Sequence, residues 1–251
     1  MRGLKDMSVV VTGGGSGIGR AICQRLGEEG ASVAVLDLNL EGARETVELI
    51  DAAGGRGEAY EVDIVDRSAV LKAVDLWEAA AGPIGGLVNN AGWDKAVSFL
   101  DSDPELWRKV IDINLYGLLN VTHAVLSKMA AQGKGRVVSI ASDAGRVGSS
   151  GESVYSACKG GTIALSKTLA RELSRTGITV NTVCPGPTDT PLLAGFDPSG
   201  RLKEALAKAI PMRRLGQPAD YPGIVTFLLS EDAGFITGQT ISVSGGLSMA
   251  G

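Results

Sequence analysis

Histidine, paired cysteine and aromatic side chains are scarce in this chain, and each shortage closes off a class of chemistry. There is one histidine, His123, with no metal-spaced partner, so no metal site is expected and both zinc-based alcohol chemistry and Ser/His hydrolysis are set aside. The three cysteines, Cys23, Cys158 and Cys184, are odd in number and far apart, which argues against a disulfide framework and for a reducing, cytoplasmic setting. No Lys/Arg cluster breaks the balance of 24 basic against 28 acidic residues, so neither nucleic acid nor an anionic membrane is an expected partner. No apolar run in the sequence approaches the roughly 18 residues of a membrane span, and Met1–Asp6 lacks a basic-then-apolar leader pattern. The chain therefore reads as soluble and unprocessed.

With aromatics at 4% and hydrophobic residues at 44%, the core must be aliphatic, as parallel strands buried on both faces require. Short apolar runs alternate with longer amphipathic stretches throughout, the pattern of repeated βα units. Seven strands are expected, at Ser8–Thr12, Ser32–Asp37, Gly57–Val62, Gly86–Asn89, Gly135–Ile140, Thr179–Cys184 and Thr240–Ser244. The expected fold is an α/β doubly wound seven-stranded parallel sheet in three layers, a Rossmann fold, with residues 1–251 as one domain. One loop-rich interruption, about 187–214, is punctuated by Pro187, Pro191, Gly195, Pro198, Gly200 and Pro211 and is expected to be a substrate lid.

The 35 glycines cluster rather than repeat. The first strand runs into Thr12-Gly-Gly-Gly-Ser16-Gly17-Ile18-Gly19, and a helix begins at once with Ile18, Ile22 and Leu26. Strand before and helix after are the context a dinucleotide site demands: glycines permit a tight turn, and the helix N-terminus offers free N–H groups to a pyrophosphate. Gly13, Ser16, Gly17, Ile18 and Gly19 are the candidate contacts. Asp37 closes the second strand 18 residues beyond Gly19, where an acid accepts from ribose hydroxyls. No cation lies in Leu36–Glu41 to meet a 2′-phosphate, which favours NAD over NADP. Asp37 also has an alternative as a cap for the next helix.

Further along stand Asp63, Asn89-Asn90-Ala91-Gly92, Asn114, Ser142, Tyr155-Ser-Ala-Cys-Lys159 and Pro185-Gly186. Together with the glycine turn, these residues resemble the classical short-chain dehydrogenases/reductases over essentially the whole chain. Nearly all of them follow carboxyl ends of expected strands, the edge where doubly wound folds bind ligands. Tyr155 and Lys159, four apart on a helix, project from one face about 5–6 Å apart at Cβ, where an ammonium favours phenolate. Taken alone, that pair would be a solvated helix face, Ser142 a cap, and Asn114, on the apolar row Val110, Asn114, Leu118, Val121, a satisfied core amide. The resemblance implies that Tyr155 is the base, Ser142 orients the substrate oxygen, Lys159 binds the nicotinamide ribose and Asn114 holds a relay water. It further implies cofactor contacts at Leu38, Asp63, Ile64, Asn89, Ala91, Gly92, Pro185, Gly186, Thr188 and Thr190. A homotetramer is implied as well. Cys158 and Cys184 read as packing residues.

For the substrate, a small-molecule alcohol or ketone, the expected neighbours are Trp93, Asp143, Arg146 and Val147, with Asp94 following. The segments Asn89–Asp94, Ser142–Glu152, Cys184–Thr190 and Phe235–Gln239 resemble 2-hydroxycyclohexanecarboxyl-CoA dehydrogenases of alicyclic and aromatic acid degradation. Coenzyme A phosphates would need cations, for which Arg146, Lys203, Lys208, Arg213 and Arg214 are candidates. Two alternatives stay open, an aryl secondary alcohol such as a 1-arylethanol and a 3-oxoacyl-carrier-protein substrate. Asp37 disfavours the latter, because biosynthetic reductases mostly use NADPH.

Overall fold

The structure, a computed structural model, describes residues 1–196 and 201–249. Its seven strands are β1 (Ser8–Thr12), β2 (Ser32–Asp37), β3 (Arg56–Glu61), β4 (Ile84–Asn89), β5 (Gly135–Ile140), β6 (Ile178–Pro185) and β7 (Thr240–Val243). They form one sheet in the order β3-β2-β1-β4-β5-β6-β7, and every pairing is parallel. Central strands are buried on both faces: Val9, Val10 and Val11 of β1 are wholly inaccessible, and all of β6 is buried. The edge strand β3, Arg-Gly-Glu-Ala-Tyr-Glu, is only partly covered and carries charge, which discourages pairing with another chain.

Side-chain alternation in the strands divides the core in two. Val9, Val11, Val33 and Val35 pack on one face against α1 (Gly17–Glu28) and, farther along, α10 (Pro222–Leu229); α2 (Leu40–Ala52) contributes Ala43 and Ile50. On the other face Val10, Ala34, Leu87 and Val137 meet Trp77 of α3 (Arg67–Ala81), Val121, Val125 and Met129 of α5 (Gly117–Gln132), and Ala170 of α7 (Ser153–Glu172). The remaining helices are α4 (Pro104–Ile111), the single turn α6 (Ala144–Val147), α8 (Pro191–Phe196) and α9 (Arg201–Ala209).

Two expectations change here. The helix carrying Asn114 is not uniform, because a π-helical segment at Asp112–Tyr116 joins α4 to α5. The joined run Pro104–Gln132 is also long and apolar enough to cross a membrane by length and composition alone, which the sequence reading did not find. More than half of its most apolar window is buried within the protein, and α5 packs its apolar residues on the sheet. Within the expected lid, α8 and α9 are described, while residues 197–200, including Pro198 and Gly200, lie outside the described residues.

Candidate active site

β1 pairs with β2 on one side and β4 on the other, so the chain reverses direction of winding between β1 and β4. At such a switch point two connecting loops diverge and open a crevice at the carboxyl edge. Here it widens into a cleft of about 1370 Å³ that runs from Asp37 and Asp63 to Tyr155 and Val147.

At one end the glycine turn closes tightly. A Cβ on Gly19 would sit 2.0 Å from the Gly13 carbonyl oxygen, so no other residue fits there. Gly19 does not line the cleft; its place is packing of helix on turn. Gly13, Ser16, Gly17 and Ile18 do line it. Ser16 is the N-cap of α1 but makes no side-chain capping bond, leaving first-turn N–H groups without a side-chain acceptor. That is the arrangement an anionic phosphate requires.

Asp37 accepts from Gly15 N at 2.8 Å and from Asn39 N at 2.9 Å, so it ties the second strand to the glycine turn. The cap of α2 is Asn39, which accepts from Gly42 N, and the capping alternative for Asp37 is corrected accordingly. Leu38 and Asp63 line the cleft, as does Ile64, whose carbonyl is held by Asn120 Nδ2 at 3.0 Å. The nearby cation Arg20 is engaged by Gly15 O, Gly42 O and Glu45 and does not line the cleft. The acidic, cation-free rim fits an unphosphorylated ribose.

The Asn-Asn-Ala-Gly segment divides its labour. Asn89 does not line the cleft; it is buried, with Nδ2 donating to Thr122 Oγ1 at 2.9 Å. Asn90, the second residue of that motif, lines the cleft and donates to the Thr12 and Gly13 carbonyls. Ala91 and Gly92 line it too.

At the other end, Asn114 is buried in the π turn: its Nδ2 donates to Val110 O at 2.9 Å and to Trp93 O at 2.6 Å, while Oδ1 accepts from Trp93 N. A Cβ on Gly92 would lie 2.9 Å from Asn114 Oδ1 and 3.3 Å from Lys159 Nζ, so glycine lets the two approach. Lys159 is buried, donates to Ile140 O at 3.1 Å, and its ammonium stands 5.4 Å from the Tyr155 ring centroid. Burial lowers the Lys159 pKa to about 8.

Burial also raises Tyr155 well above an ordinary phenol, with the charges of Glu152 and Asp94 adding to the rise and the Ser142 hydroxyl opposing it. The sequence reading anticipated a phenol lowered by Lys159; in the fold, desolvation and two carboxylates outweigh it. Asp94 itself is buried and raised to about 6, first by desolvation and then by Glu152. Burial raises the thiols of Cys158 and Cys184 as well, the latter to about 11, in keeping with packing roles.

The substrate-side expectations separate. Trp93 and Val147 line the cleft, Val147 with 66% exposure. Asp143 lines it too, although its Oδ1 is taken by the Ser242 hydroxyl at 2.6 Å. Arg146 does not line the cleft; it donates to Ser242 Oγ at 3.0 Å on β7, beside the acid it was an alternative partner for. Lys203 pairs with Asp189, Arg214 with Asp220, and Arg213 donates to Lys208 O, and none of these four lines the cleft. The cations that do, besides Lys159, are Arg108 and Lys109 of α4, with Lys109 4.1 Å from the Trp93 ring centroid. A helix face of alternating charge gave no sequence signal for them.

Pro185 and Gly186 line the cleft beyond β6, as do Thr188, bonded to Gly186 O and Tyr221, and Thr190 at the start of α8. Among the described residues no cluster of metal-ligating side chains occurs, and His123 meets Arg67 on the surface.

Comparison with known proteins adds to this geometry. The chain matches the family model described as enoyl-(acyl carrier protein) reductase over residues 13–248. It is 41% identical over 237 residues to an acetoacetyl-CoA reductase of Rhizobium meliloti, covering 94% of this chain and 96% of the relative. To the (3R)-3-hydroxyacyl-CoA dehydrogenase of Homo sapiens it is 38% identical over 255 residues, 98% and 97% of the two chains. Among solved structures, an NAD⁺-bound xylitol dehydrogenase superposes with a TM-score of 0.92 at 32% identity, over 98% of this chain and all of that one.

Proposed function

The chain belongs to the classical short-chain dehydrogenases/reductases, and on that premise we propose that it interconverts a 3-hydroxyacyl thioester and its 3-oxo form with NAD(H), through Tyr155. The coarser part of this reading, an NAD-dependent oxidoreductase of secondary alcohols and ketones, follows from the family. What supports Tyr155 is its meeting with Ser142 and Lys159 at the end of a cleft whose other end has a glycine turn and Asp37, and what supports the thioester is the acyl-CoA chemistry for which the two relatives are named.

NAD, held by the glycine turn, Asp37 and the Asp63–Ile64 wall, supplies the hydride acceptor and, when oxidised, a positive ring charge. In the oxidative direction Tyr155 takes the proton from the alcohol oxygen and becomes a protonated phenol. Ser142 donates to the same oxygen and holds it beside the phenol. Lys159, buried yet with a pKa near 8, supplies positive charge that favours phenolate. Asn114 keeps the Trp93 loop and the π turn in register against Lys159.

On the substrate side the ring-bearing 2-hydroxycyclohexanecarboxyl-CoA type of substrate and the open-chain substrates of the relatives share one reacting unit, a hydroxyl two carbons from a thioester carbonyl. Trp93 and Val147 offer an apolar wall for a cyclic acyl part, and Arg108 and Lys109 supply the cations that phosphates need. A homotetramer is part of the same proposal. NADH formation is measured with cyclic and open-chain 3-hydroxyacyl-CoA substrates and with 1-arylethanols. Turnover of arylethanols alone overturns the thioester reading. Tyr155→Phe is expected to lose at least about 100-fold in kcat while still binding NADH; retention of more than about a tenth overturns the assignment of the base.

A further inference from the structure

The loop Trp93–Val97 leaves the edge of the sheet beside Lys159 and returns to α7 through one backbone bond, Val97 N to Gly151 O at 2.8 Å. That bond sets two carboxyls side by side. Asp94 is 4% exposed, and its Oδ2 is buried without a hydrogen-bond partner. Glu152, at the N-cap of α7 and three residues before Tyr155, lines the cleft and faces Asp94. A buried carboxylate oxygen that lacks a donor and stands near a second carboxylate is costly unless a proton lies between them.

We propose that Asp94 and Glu152 are positioning residues for the Tyr155–Lys159 couple: two facing carboxyls that hold one shared proton and set the negative charge felt by the phenol. The proposal rests on Tyr155 being the proton acceptor. Tyr155 feels both carboxylates, Glu152 more strongly, with Cys184 adding a little and Ser142 opposing. Asp94 in turn feels Glu152 and Lys159 and accepts from the Lys95 backbone N–H. Arg108, Lys109 and Glu105 of α4 and Asp112 of the π-helical segment line the same cleft, Lys109 over Trp93. While one proton stays in the pair, Tyr155 ionises against a single neighbouring charge; when that proton leaves, ionisation becomes harder. The pair thereby sets how much negative charge opposes ionisation of Tyr155.

The test is the pH profile of kcat/KM for alcohol oxidation in the wild type, Glu152→Gln, Asp94→Asn and Tyr155→Phe, with NADH binding followed by fluorescence in each. Glu152→Gln is expected to lower the apparent pKa of the rising limb by about half to one unit, with Asp94→Asn shifting it the same way by less. The falling limb of ketone reduction should move equally. A merely structural role would depress kcat or raise KM at every pH and leave the apparent pKa in place. Apparent pKa values within about 0.2 unit of wild type in both variants, with Tyr155→Phe inactive, overturn the carboxyl pair and leave the base standing. An active Tyr155→Phe overturns the base and the pair with it. Should Asp94→Asn fail to fold, Glu152→Gln, at a partly exposed position, decides the matter alone.

Discussion

Replacing Asp94 by asparagine is expected to make the protein more stable at neutral pH, although it removes a buried charged group beside the catalytic couple. The Asp94 carboxyl titrates at about 6 in the fold against 3.8 for an ordinary aspartate, chiefly because burial penalises the ionised form. Its folded pKa is thus raised: the group favours the fold fully below about pH 3.8, and that contribution is lost as pH rises through about 6. A shift of about two units corresponds to roughly 3 kcal/mol, all of it a cost at pH 7.5. An asparagine Oδ1 keeps the Lys95 N–H, and its Nδ2 donates to Glu152, so the like-charge contact becomes a hydrogen bond. Urea unfolding of wild type and Asp94→Asn at pH 7.5 and pH 4 measures the difference. The variant should gain about 2–3 kcal/mol at pH 7.5, worth roughly 4–12 °C in Tm for a chain of this size, and less than about 1 kcal/mol at pH 4. A loss of stability at pH 7.5, or a gain that does not depend on pH, would refute the reasoning.

Three further outcomes follow from the site. Asp37→Ala should narrow the preference for NAD⁺ over NADP⁺ in kcat/KM and also loosen the glycine turn, since Gly15 N loses its 2.8 Å acceptor; equal use of both cofactors by the wild type would contradict the assignment. Gly92→Ala places a methyl 2.9 Å from Asn114 Oδ1 and should cost about 1–3 kcal/mol in thermal unfolding, through the amide's buried bonds, together with a fall in kcat. Arg146→Ala should lower stability and leave the ratio of KM values for charged and neutral alcohols unchanged, because the guanidinium is spent on Ser242; a selective rise for thioesters would return it to the substrate.

The strands were legible because parallel, doubly buried runs such as Ser8–Thr12 and Gly135–Ile140 are dense in Val and Ile, and both are found within the expected bounds. Edge strand β3 begins one residue earlier than expected and ends one earlier, since its half-covered, charged pattern lacks a sharp apolar boundary. Of the site, the glycine turn and Asp37 could be read from their place at strand ends, while Ser142, Tyr155 and Lys159 were read through the family resemblance; all five line the cleft or its turn. Asn89, Arg146, Lys203 and Arg214 stand outside the cleft lining for a common reason. A position near the site in sequence says nothing about which way a side chain turns once Thr122, Ser242, Asp189 and Asp220 compete for it.

By itself the sequence determined what depends on short range: the order of βα units, the turn that no side chain but glycine fits, the four-residue step from Tyr155 to Lys159. Tertiary structure alone decided what depends on burial and on approach from distant segments. The π turn at Asn114 arises where the Trp93 loop supplies two backbone partners, and the rim cations turn out to be Arg108 and Lys109 because α4 packs beside that loop. The high pKa of Tyr155 comes from desolvation first, then from Glu152 and from Asp94, the last of these 61 residues earlier in the chain. Electrostatic and desolvation energies depend on distance in space, and a linear chain does not carry that distance.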